Sequence, residues 1–216
     1  VSLLSTTRAA ALTTATAGAL ALAATPALAA PAADVQADLN GDGTADQVSV
    51  AAQSEGTEQK ITAVVGGQTY ELVIPLSTPD GGVVAPRAVD VNKDRKAELV
   101  VTESVGPDTD TLELVDLGPD GLRLLKTPDG NELRFFEGGG TTARAGYTCK
   151  DDFFAGRTFT ILFAIAQDDS ANPDFIGALA SYTSAGGTIT PTNQIPIFGV
   201  KGDNSQLVVD PTACDA

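Results

Sequence analysis

From residue 33 onward, apolar and polar positions alternate in short runs, at residues 33–37, 47–52, 60–65 and 69–74, then 83–89, 99–103, 111–117 and 122–125. A period of two predicts half-buried β-strands and not helices. Gly66-Gly67 and Gly118-Pro119-Asp120-Gly121 separate the last two runs of each set, and such residues supply the positive or preset φ of hairpin turns. The spacing thus predicts a unit of four short antiparallel strands, repeated once. A third unit follows with strands at 133–136 or 141–148, then 158–166, 175–182 and 188–191, and with Ser184-Ala185-Gly186-Gly187 as its last turn. Residues 206–210 read as a further edge strand.

Between the first two strands of each of the first two units the alternation gives way to a run of oxygen-bearing side chains. The first is Asp38-Leu39-Asn40-Gly41-Asp42-Gly43-Thr44-Ala45-Asp46. Ca2+ is a hard cation that takes roughly 6–8 oxygen ligands. Asp38, Asn40 and Asp42 at alternate positions, completed by the Thr44 carbonyl and Asp46, suit it, and Gly43 permits the positive φ of a sharp turn. An EF-hand would need an acid at the twelfth position and a helix behind it; here Ser49 stands there and strand patterning follows, so the ion is expected between strands. The second unit carries Asp90-Val91-Asn92-Lys93-Asp94-Arg95-Lys96-Ala97-Glu98 at the same place.

Four strands in roughly 50 residues, with a loop of this kind between the first and second, have the pattern of a propeller-type blade. The D-x-N-x-D-G-x-x-D motif followed by a short apolar strand resembles the FG-GAP or VCBS repeats, including the integrin-like calcium-binding blades of β-propellers, over residues 34–126 and more weakly over 133–192. The resemblance implies a secreted bacterial protein with Ca2+ as its cofactor. It implies main-chain or side-chain ligands at Asp38, Asn40, Asp42, Thr44 and Asp46, and in a degenerate second loop at Asp90, Asn92, Asp94, Lys96 and Glu98. There Arg95 replaces the loop glycine, and Lys93, Arg95 and Lys96 offset the three acids, either around an ion or by satisfying the carboxylates directly. The fold class expected is all-β, with about three four-stranded antiparallel blades in a partial or open β-propeller: residues 30–78, 79–132, and 133–216 with the tail. Closed propellers have about 4–8 blades. Either a homodimer closes the ring, or the chain is an open array, or the third unit packs differently.

Composition adds three points. Residues 1–29 read as a secretory signal, with Arg8 as the charged end, a weakly apolar stretch and Ala27-Leu28-Ala29 as the cleavage site. Removing Arg8 with the signal leaves 12 basic against 28 acidic residues, a net charge of −16, which opposes nucleic acid and anionic membranes as partners. No stretch of about 20 strongly apolar residues predicts a membrane span. The two cysteines, Cys149 and Cys214, are expected to form a disulfide in an exported chain, worth about 4 kcal/mol in the chain-entropy model. Cys149-Lys150-Asp151-Asp152-Phe153-Phe154-Ala155-Gly156 stands where a third loop would lie, and the disulfide reads as its replacement staple.

With no histidine, neither a Ser-His-Asp site nor a His-ligated zinc is available, and no tryptophan can stack on a sugar. The acid pairs Asp151-Asp152 and Asp168-Asp169 read as surface charge and Gly138-Gly139-Gly140 as a turn. Phe135-Phe136 and Phe153-Phe154 read as core. The function expected is a non-catalytic binding or scaffold module with structural Ca2+ and a protein or glycan ligand. The alternatives are a calcium-dependent lectin-like module or a carboxylate-based hydrolase.

Overall fold

The computed structural model describes residues 32–80, 82–152 and 156–216. The expected signal segment, Phe153 and Phe154 lie outside these. The described chain is all-β, with antiparallel sheets of four and nine strands, neither of which closes. No helix among the described residues is long and apolar enough to cross a membrane.

The first sheet is a meander of β1 (Ala32–Ala37), β2 (Asp46–Gln53), β3 (Glu58–Val65) and β4 (Gln68–Pro75), each paired with the next. Its alternation is realised directly: Val48, Val50, Ile61 and Ala63 are buried, while Gln47, Ser49, Lys60 and Thr62 face outward. A second meander comprises β5 (Arg87–Val89), β6 (Glu98–Val105), β7 (Thr109–Gly118) and β8 (Gly121–Leu124). The run expected over 83–89 is a strand only in its last three residues. The third consists of β10 (Ala143–Asp152), β11 (Gly156–Ala166), β12 (Asp174–Ala185) and β13 (Thr188–Lys201).

The sequence alternatives at 133–136 and 141–148 are both strands. β9 (Arg134–Gly138) pairs along one half of the β7 edge, β8 takes the other half, and β9 is in register with β10 only at Gly138 opposite Ala145. The nine-stranded sheet is therefore two four-stranded meanders joined through β9.

Three apolar cores fix the stacking. One lies between the first sheet and one face of the second meander, bringing Leu39, Val50 and Ile61 together with Leu99, Val101 and Val115. The other face of that meander, through Val100, Leu112 and Leu114, packs on Phe135, Tyr147, Phe159 and Ile161. The Phe135 ring meets Tyr147 and Phe159 edge-on, with centroids 5.5 Å from each. The central meander is thus buried on both faces, which is why Leu99, Val100 and Val101 run on without the alternation expected over 99–103.

The far face of the third meander, with Leu162, Ala164, Phe175 and Ile197, is covered by Leu207 of the tail. Residues 206–210 form no strand: a 3-10 turn at Ser205–Leu207, capped by the Asn204 side chain, places Leu207 on this face as a plug. Cys149 and Cys214 are disulfide-bonded with Cα atoms 4.9 Å apart. The bond ties the tail to β10, and the tail in turn reaches the second meander, where Asp90 N–H donates to the Cys214 carbonyl at 2.8 Å. Because Cys214 belongs to the tail, the disulfide does not staple the β10–β11 turn. Asp151 and Arg157, paired across that hairpin at 2.7 Å, clip it instead.

Candidate metal centre

Both acidic loops join the first strand of a four-stranded meander to the second, residues 38–45 between β1 and β2 and residues 90–97 between β5 and β6. In the first, Asp38 Oδ1 accepts from the Gly41 N–H at 2.7 Å and its Oδ2 from Gly43 N–H at 2.8 Å. Asn40 Oδ1 accepts from Asp42 N–H at 2.9 Å, Asp42 Oδ1 from Thr44 N–H at 2.7 Å, and Asp46 Oδ2 from Leu39 N–H at 3.0 Å. Asp38, Asn40 and Asp42 therefore turn the backbone two to five residues on, the local bonding that lets Asx residues compete with a ladder, while Asp46 reaches seven residues back to close the loop.

The second loop repeats the scheme. Asp90 accepts from the Lys93 and Arg95 N–H groups, Asn92 from Asp94, Asp94 from Lys96 and Glu98 from Val91. Gly41 and Gly43 have φ of +78° and +84°; their counterparts Lys93 and Arg95 adopt +64° and +70°. An L-residue there costs on the order of 1–2 kcal/mol. The sequence pointed to this demand at Gly43 and Arg95; the same demand at Gly41 and Lys93 was legible by aligning the two loops.

The loops touch. Ala97 N–H donates to the Asp38 carbonyl at 2.7 Å, and a Cβ at Gly41 would lie 3.1 Å from Lys96 Cγ. A cleft of about 440 Å3 opens between them, with Asn40, Asn92, Glu98, Asp116 and Arg123 on its walls. Arg123 is held in a two-pronged pair by Asp116, at 2.8 and 2.9 Å, and its guanidinium lies where a side chain on Gly187 would be, in the β12–β13 turn. All three meanders meet here, which sequence spacing alone did not disclose.

The electrostatics of the two loops differ. Burial pushes the Asp46 carboxyl up, partly offset by the Leu39 N–H, and the negative Asp42 and Asp38 push it further. The Asn40 amide holds Asp42 down. Glu98, 4% exposed, is pushed up to about 8 by burial first and then by Asp94, Asp90 and Asp116. The basic residues of the second loop do not turn inward on its acids. Lys93 reaches Asp151 at 2.6 Å, and Arg157 donates to the Asp90 carbonyl at 2.7 Å; neither Arg95 nor Lys96 enters an ion pair among the described residues.

Among the described residues no three Asp, Glu or Cys side chains stand close enough together to enclose a metal ion. The donor chemistry nonetheless suits Ca2+: oxygen donors only, on a backbone already turned as the motif requires, with excess negative charge in the first loop. The other sequence candidates are not in the cleft. Asp151 is pulled down to about 2 by Arg157 and Lys93, as befits an ion-paired surface acid, and Asp168 accepts from Ser170 N–H. Phe135 is core, but Phe136 is exposed. Gly138, Gly139 and Gly140 form a tight crossover in which Gly139 N–H donates to the Asp108 carbonyl at 2.5 Å. No family model, curated protein or solved structure matches the chain.

Proposed function

We propose that the chain is an exported, calcium-stabilised repeat protein of the FG-GAP/VCBS type, acting as a non-catalytic binding or scaffold module. One observation carries this reading: two loops with the same hydrogen-bond scheme occupy the same turn in two consecutive, face-to-face four-stranded meanders. Asp38, Asn40, Asp42, the Thr44 carbonyl and Asp46 would hold one ion, which would offset the mutual repulsion of the three carboxylates. Asp90, Asn92, Asp94, the Lys96 carbonyl and Glu98 would hold a second more weakly. The chain's export and the loss of residues 1–29 belong to the same proposal, supported by the disulfide.

We favour an open array of blades over a ring closed by a second copy. Ring closure would bury both faces of every sheet, whereas the outer face of the first sheet carries Ser49, Lys60, Thr62 and Glu71. A polar outer face is how a terminal repeat ends a stack. The lectin-like alternative draws on the cleft, whose amide, carboxylate and guanidinium groups are of the kind that bind sugar hydroxyls. A glycan array with and without chelator distinguishes it.

Thermal unfolding with Ca2+ and with chelator tests the main reading, because a ligand held only by the folded state must stabilise it. At Ca2+ about 100-fold above the dissociation constant, the midpoint rises by roughly 5–10 °C in a domain of this size. Equal midpoints with and without chelator would remove the calcium reading.

A further inference from the structure

The third meander outgrows the second. On β11, Phe159 and Ile161 pack into the shared core, but Phe163 and Ile165, on the same face further along the strand, are exposed. Strand register extends this exposed zone sideways in two rows. Ala143, Ile165, Ile176 and Phe198 lie opposite one another in turn across β10–β13, and Ala145, Phe163, Ala178 and Pro196 form the row beside them. Phe136 of β9 adds its ring 5.6 Å from that of Phe163. None of these residues is charged, in a chain whose net charge is −15. Charge returns only at the border, with Arg134 at the groove and the Asp174–Lys201 pair at 2.9 Å beyond Phe198.

Two details show relief as well as area. Between the pairs Phe175–Val200 and Ile176–Phe198 the register slips by one residue, and the residue left out, Gly199, has φ +59°. A slip of one residue exchanges the faces of all side chains beyond it. Here it turns Ile197 into the core under the tail and Phe198 outward, where it is 70% exposed. Beside this knob on the same face lies a groove of about 460 Å3, walled by Phe136, Phe163, Ala178, Ala180 and Tyr182.

We propose that this face is where a second copy of the chain docks, about a two-fold axis, with Phe198 of each copy entering the groove beside Phe136 and Phe163 of the other. A knob and a groove on one surface are what a self-complementary, isologous contact requires. At roughly 200 Å2 for a fully exposed large side chain, the five exposed rings and isoleucines present about 450 Å2 of apolar surface. Two copies then bury roughly 900 Å2 of apolar area, which with a polar rim reaches the 1,200–2,000 Å2 of a stable interface. Strong like charge elsewhere opposes self-association everywhere except on an uncharged face. This contact is separate from ring closure and independent of Ca2+, so it goes beyond the function proposed above.

Sedimentation of the full chain between about 1 and 100 μM measures it. The expected mass approaches twice 21.9 kDa. Phe198→Asp and Phe163→Asp should each raise the dimer dissociation constant about thirty-fold or more, as loss of a central aromatic anchor does. Ile195→Asp, exposed on the opposite face of β13, should leave it unchanged. Circular dichroism and unfolding midpoints of Phe198→Asp that match the parent at dilutions where both are monomeric exclude misfolding as the cause. A parent chain monomeric throughout this range, as when another segment or an apolar ligand occupies the face, overturns the proposal. So does a dimer that survives both Phe substitutions or that Ile195→Asp abolishes.

Discussion

The two acidic loops share a backbone scheme and differ in what surrounds it. The first, between β1 and β2, is glycine-relaxed, exposed at its tip and negative, with no basic side chain of its own. The second, between β5 and β6, holds Lys93 and Arg95 at positive φ and buries Glu98. It is also roped to its neighbours, by Arg157 from β11 and by the Cys214 carbonyl from the tail. The same turn is thus stabilised in two ways. In the first loop the acids have no basic side chain of the loop itself to offset them; in the second, protein contacts hold a strained backbone.

This contrast can be tested by removing one support at a time. The largest effect should come from the tail. Replacing both Cys149 and Cys214 by serine should cost about 2–4 kcal/mol. Hydrogen exchange should then accelerate at Asp90, whose N–H is bonded to Cys214, while Gly41 and Gly43 keep their protection. Equal loss in both loops would mean that the tail supports the whole stack and not the second loop in particular. Next in size is the ion: Asp42→Ala should abolish the Ca2+-induced rise in midpoint, and Asp94→Ala should leave most of it. If Asp94→Ala removes more, the ranking of the two loops is reversed.

Backbone strain gives a smaller term. Arg95→Gly should stabilise the protein by about 1 kcal/mol, since only an L-side chain is penalised at φ +70°. Denaturant midpoints for the parent and variant measure it, and an unchanged midpoint would mean that Arg95 makes compensating contacts. The remaining effect, the one that depends most on pH, concerns Glu98. Its folded pKa of about 8 lies above the ordinary carboxylate value of 4.5. The folded state therefore holds this proton more tightly, and the associated stability is present below about pH 4.5 and lost as pH rises to about 8. Glu98→Gln should flatten this decline and stabilise the protein at pH 9. Buried Glu113, pushed up to about 7 by burial and by Glu103 despite Arg134, slopes the same way and should persist in the variant.

Much of this arrangement was legible because period-two patterning survives wherever one face of a strand is wet, as in β2 and β3. The turn glycines were equally plain. Legibility failed where a strand had an unusual neighbour. The strand expected over 188–191 continues in β13 through Pro196 to Lys201, because β13 lies at the sheet border and an outer edge needs no N–H. The slip at Gly199 hid the face that Phe198 takes. At residues 206–210 the apolar pattern reflected Leu207 reaching one core, a tertiary contact that looks like alternation over a few residues. Of the candidate metal residues, spacing gave both loops and their place in the chain. It could not give Asp116, Arg123 or Arg157, which come from elements far along the sequence.

The disulfide spans a sequence separation of 65, and all of β11, β12 and β13 lie inside the covalent ring it closes. A protease that cuts one peptide bond in that stretch, for instance in the exposed turn around Asp168 and Asp169, does not release a fragment. The two pieces remain one molecule through sulfur, with their strands still hydrogen-bonded to partners on either side. The nicked chain should migrate intact on a non-reducing gel and fall into two bands only when thiol is added, so that the sheet bearing Phe163 and Phe198 tolerates damage that would dismantle the first sheet.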